Sequence, residues 1–198
     1  MQMLRDAADA GVPTLGVCLG GQLLAQALIA LLLGRREIVA HRQRRDARGL
    51  EILAAIFNDR LFDRLRAEQG ASYGPVVVSH WPTGFDDSGG YLLVGSLLAP
   101  KDVDRFYDIA KAIAADLVAN PVGADELARN AGPLREQVAR ASTGNVYWMF
   151  LLEGATRDPR VAAAALSIEQ DISAVTSADI QRLAPQYLVP ARPWSLAL

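Results

Sequence analysis

Apolar side chains recur at helical spacing between residues 46 and 69, and this stretch is the clearest predicted element of the chain. The repeat consists of Leu50, Leu53, Ala54, Phe57, Leu61 and Leu65. Positions three and four apart share one face of an α-helix, so the pattern predicts a long helix with one buried side. Gly70 follows directly and is a natural C-terminal stop. We therefore predict a helix from Asp46 to Gln69.

Runs of strand-forming residues lie on both sides of this helix. Residues 76–81 and 91–98 are rich in valine and leucine, and the turn-prone residues 82–90 separate them. A connection of this kind favours an antiparallel pair over parallel strands joined by a crossover helix. Residues 37–41 are predicted as an earlier strand, and residues 192–198 as a final edge strand.

The C-terminal half is predicted to consist mainly of helices. One amphipathic helix runs from residue 100 to about Asn120, and a second begins near Asp125. Ser167–Gln170 and Thr176–Asp179 have the spacing of a capping box, in which the first and fourth residues satisfy each other's backbone N–H groups. This spacing predicts two further helix starts.

Composition limits the function classes. With 198 residues, 51% of them hydrophobic, the chain can build one domain with a substantial core. Lysine and arginine number 20 against 22 acidic residues, so a net charge of -2 gives no reason to expect a nucleic-acid partner. The arginines between residues 35 and 48 are interrupted by Glu37 and Asp46, which indicates a solvated or substrate-facing patch.

Residues 12–34 are uncharged and nearly numerous enough to cross a bilayer, but Pro13, four glycines and two glutamines disfavour a spanning helix. A buried strand, a tight turn and a buried helix are predicted instead, because the glycines lie in the middle and leucines follow them. No membrane partner is expected. Asp6 and Asp9 stand where a secretory signal would be basic, and the single Cys18 leaves the compartment open.

Cys18 lies in the sequence Gly16-Val-Cys18-Leu-Gly20, within residues 11–27. This stretch resembles the nucleophile elbow of class I glutamine amidotransferases, where a strand turns sharply into a helix at a cysteine. The resemblance implies a nucleophilic thiolate at Cys18 and covers about residues 1–28. The amidotransferase base comes from a later His-x-Glu, and no such tripeptide follows here. The favoured interpretation is a structural strand, turn and helix with a bystander thiol.

A second resemblance covers residues 35–198. It rests on residues 57–62 (Phe-Asn-Asp-Arg-Leu-Phe), 70–73 (Gly-Ala-Ser-Tyr), 147–148 (Tyr-Trp) and 173–179 (Ser-Ala-Val-Thr-Ser-Ala-Asp). This region resembles the C-terminal, non-zinc domain of pitrilysin or insulinase-type zinc peptidases. The resemblance implies an α+β fold with an antiparallel sheet backed by helices. The expected domain organisation is an appended strand–turn–helix segment at residues 1–34 and the peptidase-like domain at residues 35–198, as in a fused or engineered chimaera.

The same resemblance implies that Arg66 and Tyr73 reach into the active site of a partner domain. The guanidinium would hydrogen-bond carbonyl groups of the peptide, and the phenol would donate to the oxyanion formed at the scissile carbonyl. The zinc motif of the family, H-x-x-E-H, is missing, since His41 and His80 are the two histidines and neither has a histidine four residues away.

We therefore expect a domain that is not an enzyme by itself and binds no cofactor. It would associate with a zinc-bearing domain or subunit and help to bind and orient a peptide substrate. Two alternatives stay open: a Cys18-dependent amidotransferase or hydrolase, and an inactive recombined structural module. A half-enzyme without its partner exposes an apolar interface, so a homo-oligomer is also expected.

Other polar and aromatic residues have structural interpretations. Arg60 and Arg64 lie four apart on the long helix and are predicted to form salt bridges with Asp59, Asp63 or acids of a partner. Tyr147 and Trp148 lie in an apolar stretch and are predicted to be core residues rather than part of a peptide cavity.

Overall fold

Six short strands and seven α-helices make up the part of the chain that the computed structural model describes, which comprises residues 27–28, 30–33, 43–69, 74–80, 91–188 and 194–196. The strands are β1 (Ala27–Leu28), β2 (Ala30–Leu33), β3 (Val76–His80), β4 (Tyr91–Gly95), β5 (Leu97–Leu98) and β6 (Trp194–Leu196). The helices are α1 (Gln43–Gln69), α2 (Val103–Ala119), α3 (Ala124–Ala141), α4 (Asn145–Leu151), α5 (Pro159–Leu166), α6 (Ile168–Ser173) and α7 (Ser177–Tyr187).

The main sheet has the strand order β3-β4-β2-β6, and each neighbouring pair is antiparallel. Val78 lies opposite Leu93 in the β3–β4 pair, which confirms the predicted antiparallel pairing of these two strands. β6 occupies one edge of the sheet, as the sequence predicted for the C-terminal strand. A second, two-stranded sheet pairs β1 with β5. The α+β fold class, with an antiparallel sheet backed by helices, is confirmed.

Ala27–Leu28 and Ala30–Leu33 form strands, so the predicted buried helix is wrong at these residues, whereas the rest of that prediction lies outside the described residues. β2 lies between β4 and β6, so its backbone is hydrogen-bonded on both sides. A short, continuously apolar run fits a fully buried strand as well as a buried helix, and periodicity cannot separate the two. The predicted strand at residues 37–41 lies outside the described residues, and the proposed boundary between residues 34 and 35 stays a prediction.

The long helix α1 is confirmed and begins at Gln43, three residues before its predicted start. Its predicted apolar face is buried, and Ile52 and Ile56, which lie off that face, are fully buried as well. The additional burial arises because α1 packs against β3 and against the helices α2, α3, α6 and α7. Its first half is therefore the centre of the hydrophobic core, with helical neighbours on more than one side.

The helix starts predicted in the C-terminal half are confirmed, although their caps differ. Thr176 and Asp179 form a complete capping box at the start of α7, with the side chain of each residue bonded to the backbone N–H of the other. Ser167 precedes α6, but its side chain makes no capping hydrogen bond to this helix. Its hydroxyl donates to the Asp171 carboxylate at 2.7 Å instead, so the capping-box prediction at Ser167 is wrong.

Candidate functional site

Arg66 lies where α1 emerges from the core. Leu61 and Leu65 are buried, whereas Phe62, Arg64 and Arg66 are exposed. A helix that buries one residue in four keeps only a narrow stripe against the protein and presents its other sides to solvent. The last turns of α1 therefore form an open end, and Arg66 stands in its final turn.

Phe62 is exposed on the same side of this open end. It lies four residues before Arg66, so the two side chains are neighbours on the helix surface. Its side chain is 44% exposed, which is unusual for a phenylalanine on a helix whose other large apolar residues are mostly buried. The sequence pattern gave Phe62 no role, because a single aromatic residue off the apolar face carries no signal by itself. The open end thus combines a cation with an aromatic ring.

Arg60 connects α1, just before its open end, to the neighbouring helices α2 and α3. Its Nε donates to Glu126 Oε1 at 2.7 Å and its Nη2 donates to Glu126 Oε2 at 2.8 Å, which is a bidentate pair between α1 and α3. Nη1 donates to Asp116 Oδ2 on α2 at 2.5 Å. Asn120 completes the network with a hydrogen bond from its Nδ2 to Asp116 Oδ1 at 2.7 Å. Three helices are thereby joined through one guanidinium.

The predicted salt-bridging role of Arg60 is confirmed, but its predicted partners Asp59 and Asp63 are wrong. The network favours the charged forms of Arg60 and Glu126. Hydrogen bonds from Arg60 lower the pKa of the Glu126 carboxyl below its usual value, against the opposing effect of burial. Hydrogen bonding to Glu126 likewise raises the pKa of Arg60. Spacing along one helix could not reveal these partners, which lie 56 and 66 residues away in the sequence.

β3 lies against α1 and forms the second part of the candidate site. Burial alternates along it: Val77 packs against the core, whereas Val76, Val78 and His80 are exposed. The imidazole of His80 stacks on the ring of Tyr91 in β4, with ring centroids 4.8 Å apart. His80 is therefore an exposed strand histidine in contact with an aromatic ring.

We define the open face of the sheet by Val76, Val78, His80, Tyr91 and Leu93. These residues share one side because Val78 lies opposite Leu93 and His80 opposite Tyr91 in the antiparallel register. The helices cover the other side, where Val77 and the buried Leu92 and Val94 lie. The sequence did not reveal which face was open, since both faces of β3 carry apolar residues.

The remaining predicted site residues lie outside the described residues. Tyr73 falls between α1 and β3 in the sequence, and Cys18 falls before β1. Their roles stay predictions. Tyr147 packs against the core and Trp148 donates from Nε1 to the Ser142 carbonyl at 2.8 Å, so both have structural contacts.

Neither a candidate metal site nor a candidate membrane span is found among the described residues. No group of three or more histidine, cysteine or acidic side chains is arranged to hold a metal ion within those ranges. None of the helices seen there has the length and apolar character needed to span a membrane.

Comparison with known proteins gives the fold its context. No protein-family model matches the chain, and no curated protein matches it by sequence. Solved structures do match. A candidate zinc protease from Bordetella pertussis Tohama I superposes with a TM-score of 0.68 at 20% identity, over 88% of this chain and 94% of that one.

Two further structures have the same fold. The inactive peptidase domain of a candidate zinc protease from Bordetella parapertussis gives a TM-score of 0.71 at 19% identity, over 89% of this chain and 92% of that one. A candidate M16-like peptidase from Alicyclobacillus acidocaldarius gives 0.70 at 15% identity, over 88% of this chain but 41% of that longer one. The amidotransferase resemblance of the first residues finds no support among these structures. The described chain has the α+β fold of these peptidase structures.

Proposed function

We propose that the chain is a catalytically incomplete, peptidase-like domain that associates with a zinc-bearing domain or subunit and helps to bind and orient a peptide. Two observations support this proposal together. The fold is shared with a solved domain described as an inactive peptidase domain. Arg66 is exposed at the open end of α1, where it is accessible to a partner or a substrate. The metal and the general base would belong to the partner.

Arg66 would bind the backbone of the peptide. A guanidinium carries five N–H donors in a fixed plane and forms charge-assisted hydrogen bonds with carbonyl oxygens. Arg66 takes part in none of the salt bridges between described residues. By contrast, Arg60 on the same helix is fully engaged with Glu126 and Asp116. Among the described residues, Arg66 is therefore the one of these two arginines that has no acidic partner.

Tyr73 would act on the reacting carbonyl. In this proposal its phenol would donate a hydrogen bond to the oxyanion that develops at the scissile carbonyl, and activation of the attacking water would be left to the metal held by the partner. Neither Arg66 nor Tyr73 would bind the metal. Their contribution would be to position the peptide and to stabilise the negative charge of the transition state.

A reconstitution experiment tests the proposal. The purified chain is mixed with a purified subunit that carries the H-x-x-E-H helix, and cleavage of a fluorogenic peptide is followed. We expect cleavage by the mixture to exceed that of the zinc subunit alone. Arg66→Ala should lower kcat/KM, and Tyr73→Phe should lower kcat by about 100-fold, which is typical for removing one donor to an oxyanion.

Arg64→Ala is the matched control. Arg64 is exposed on the same open end, but it lies about 200° around the helix from Arg66 and points elsewhere. Its removal should leave cleavage unchanged. Equal losses in the two variants would point to a general effect of charge, and an Arg66→Ala mixture as active as the original would rule out the proposed role.

The alternatives have distinct outcomes in the same assays. Hydrolysis by the chain alone that disappears in Cys18→Ser would favour a cysteine-dependent enzyme. No effect of the chain on any zinc subunit would favour an inactive structural module. The expectation of a homo-oligomer also stays a prediction, and equilibrium sedimentation of the chain alone tests it.

A further inference from the structure

Gly132 and Pro133 lie next to each other in the middle of α3, which has 18 residues. Proline has no N–H, so the carbonyl oxygen of Arg129 cannot receive the helical hydrogen bond that residue 133 would otherwise donate. The proline ring also crowds this carbonyl group. Glycine is the poorest helix former apart from proline. The centre of α3 is therefore its weakest part.

Gly132 is not required by packing against another element. A Cβ at this position would meet no atom within 4 Å outside the adjacent backbone of its own helix. The missing side chain matters instead for the proline that follows, because the ring of a proline in a helix clashes with the Cβ of the residue before it. Glycine also adds backbone freedom. The Gly132–Pro133 pair thus allows α3 to bend with little steric resistance.

The chain that follows this pair is only partly buried. Every residue from 123 to 164 is half-buried or exposed, whereas α2 buries six of its 17 residues. The apolar residues of this region that pack against the core, while remaining partly exposed, include Leu134, Val138, Tyr147 and Leu151. Segments with few buried apolar contacts open at a lower free energy than the core does. We therefore expect this region to open before the rest of the domain.

The first half of α3 is held to α1 by charged groups. Glu126 accepts two hydrogen bonds from the guanidinium of Arg60. The side chain of Asn130 donates to the carbonyl oxygen of Glu126 at 3.0 Å, which adds a bond within the same half. The second half, which begins at Leu134, is held by partial apolar contacts. The two halves are therefore attached with different strength on either side of the Gly132–Pro133 pair.

The second half of α3 is joined to the helices that follow it. Trp148 on α4 donates from Nε1 to the carbonyl oxygen of Ser142, directly after α3, at 2.8 Å. The rings of Tyr147 and Trp148 meet edge to face, with centroids 5.2 Å apart. α4 in turn packs against α5. We call residues 134–164, which comprise the second half of α3, α4 and most of α5, the outer unit.

We propose that Gly132 and Pro133 form a hinge at which α3 opens, so that the outer unit moves away from the core as one body. The first half of α3 stays on α1 through Arg60 and Glu126. Opening uncovers the core-facing sides of Tyr147 and Leu151 and the part of the core that they cover. This inference is independent of the proposed function, since it involves neither a partner nor a peptide.

Hydrogen exchange of the full chain, followed by mass spectrometry at increasing urea concentrations, tests the inference. We expect the helical amides of the outer unit to exchange about tenfold or more faster than those of α2. They should also share one urea dependence, because a single opening exposes them together. Pro133→Ala supplies the missing N–H and removes the ring, so it should slow exchange in the outer unit by about tenfold or more. Adding Gly132→Ala to this variant should slow it by about a further fivefold.

Pro185→Ala is the matched control. It makes the same chemical change at an exposed position inside α7, where the neighbouring Ala184 and Tyr187 are buried. It should leave exchange in the outer unit unchanged. Circular dichroism of all variants verifies that they fold.

Several results would overturn the inference. One is exchange in the outer unit as slow as that in α2. Another is a urea dependence that differs between α4 and the second half of α3, because this would show separate local fraying. Unchanged or faster exchange of the outer unit in Pro133→Ala would show that the proline fixes a permanent bend. Equal slowing of α2 and the outer unit in that variant would show a general gain in stability without a hinge.

Discussion

Arg60 on α1 holds Glu126 on α3 through two hydrogen bonds, from Nε to Oε1 at 2.7 Å and from Nη2 to Oε2 at 2.8 Å. Both side chains are about four-fifths buried, with 22% and 20% exposure, so solvent screens the pair only weakly. Arg66 lies six residues further along the same helix, or about 9 Å along its axis. The Arg60–Glu126 pair therefore fixes the direction in which the open end of α1 points.

We expect strong energetic coupling between these two residues. In a double-mutant cycle with Arg60→Met and Glu126→Gln, the coupling in the free energy of unfolding should be about 2 kcal/mol, because the hydrogen bonds are charge-assisted and partly buried. Urea denaturation measures it. The exposed pair Arg140–Glu136 is the control and should give about 0.3 kcal/mol. Coupling at Arg60 no larger than the control would mean that the pair does not fasten the helices.

The same pair predicts how stability depends on pH. The pKa of Glu126 is lower in the folded protein than in the unfolded chain, where it is about 4.5. Its contribution to stability is therefore complete above that value and is lost as the pH falls through the folded pKa below it. Urea midpoints measured between pH 3 and pH 6 should fall less steeply in Glu126→Gln than in the original chain. Glu136→Gln, on the exposed face of α3, should keep the original slope.

Gly49 should not tolerate a side chain. A Cβ at this position would lie 2.4 Å from Cδ1 of Leu183, which is fully buried where α7 packs against α1. Gly49→Ala gains helix propensity, but overpacking at a buried contact costs about 1–3 kcal/mol, so a net loss of stability is expected. Thermal unfolding measures it. Combining Gly49→Ala with Leu183→Ala should remove the clash, and a double variant no better than the sum of the single changes would contradict this explanation.

The capping box of α7 should contribute measurably to stability. Thr176→Ala removes the acceptor for the Asp179 N–H, and we expect a loss of about 1 kcal/mol in the free energy of unfolding. Ser177→Ala, one residue later, changes a hydroxyl in the same helical turn without touching the cap and should be close to neutral. Ser167→Ala at the start of α6 should not show the loss expected of a broken N-terminal cap, since the Ser167 side chain makes no capping hydrogen bond to α6.

The sequence determined much of the secondary structure. The long helix with its buried face, the antiparallel pair β3–β4, the helix starts near residues 103, 124 and 177 and the edge position of β6 all follow from periodicity, turn residues and capping patterns. These signals are local, because they depend on residues a few positions apart. A resemblance carried by short motifs also indicated the α+β fold, which the solved structures confirm.

The tertiary structure decided those strand, burial and pairing features that local sequence patterns do not encode. Only packing shows that Ala30–Leu33 form a central strand rather than a helix, because the partners β4 and β6 lie more than 50 residues away in the sequence. Ile52 and Ile56 are buried because helices surround α1 on several sides, and Arg60 pairs with Glu126 because α3 folds back against it. The sequence alone marked Arg66 as a residue of interest. Its exposure depends on where neighbouring helices end, and that is a property of the folded chain.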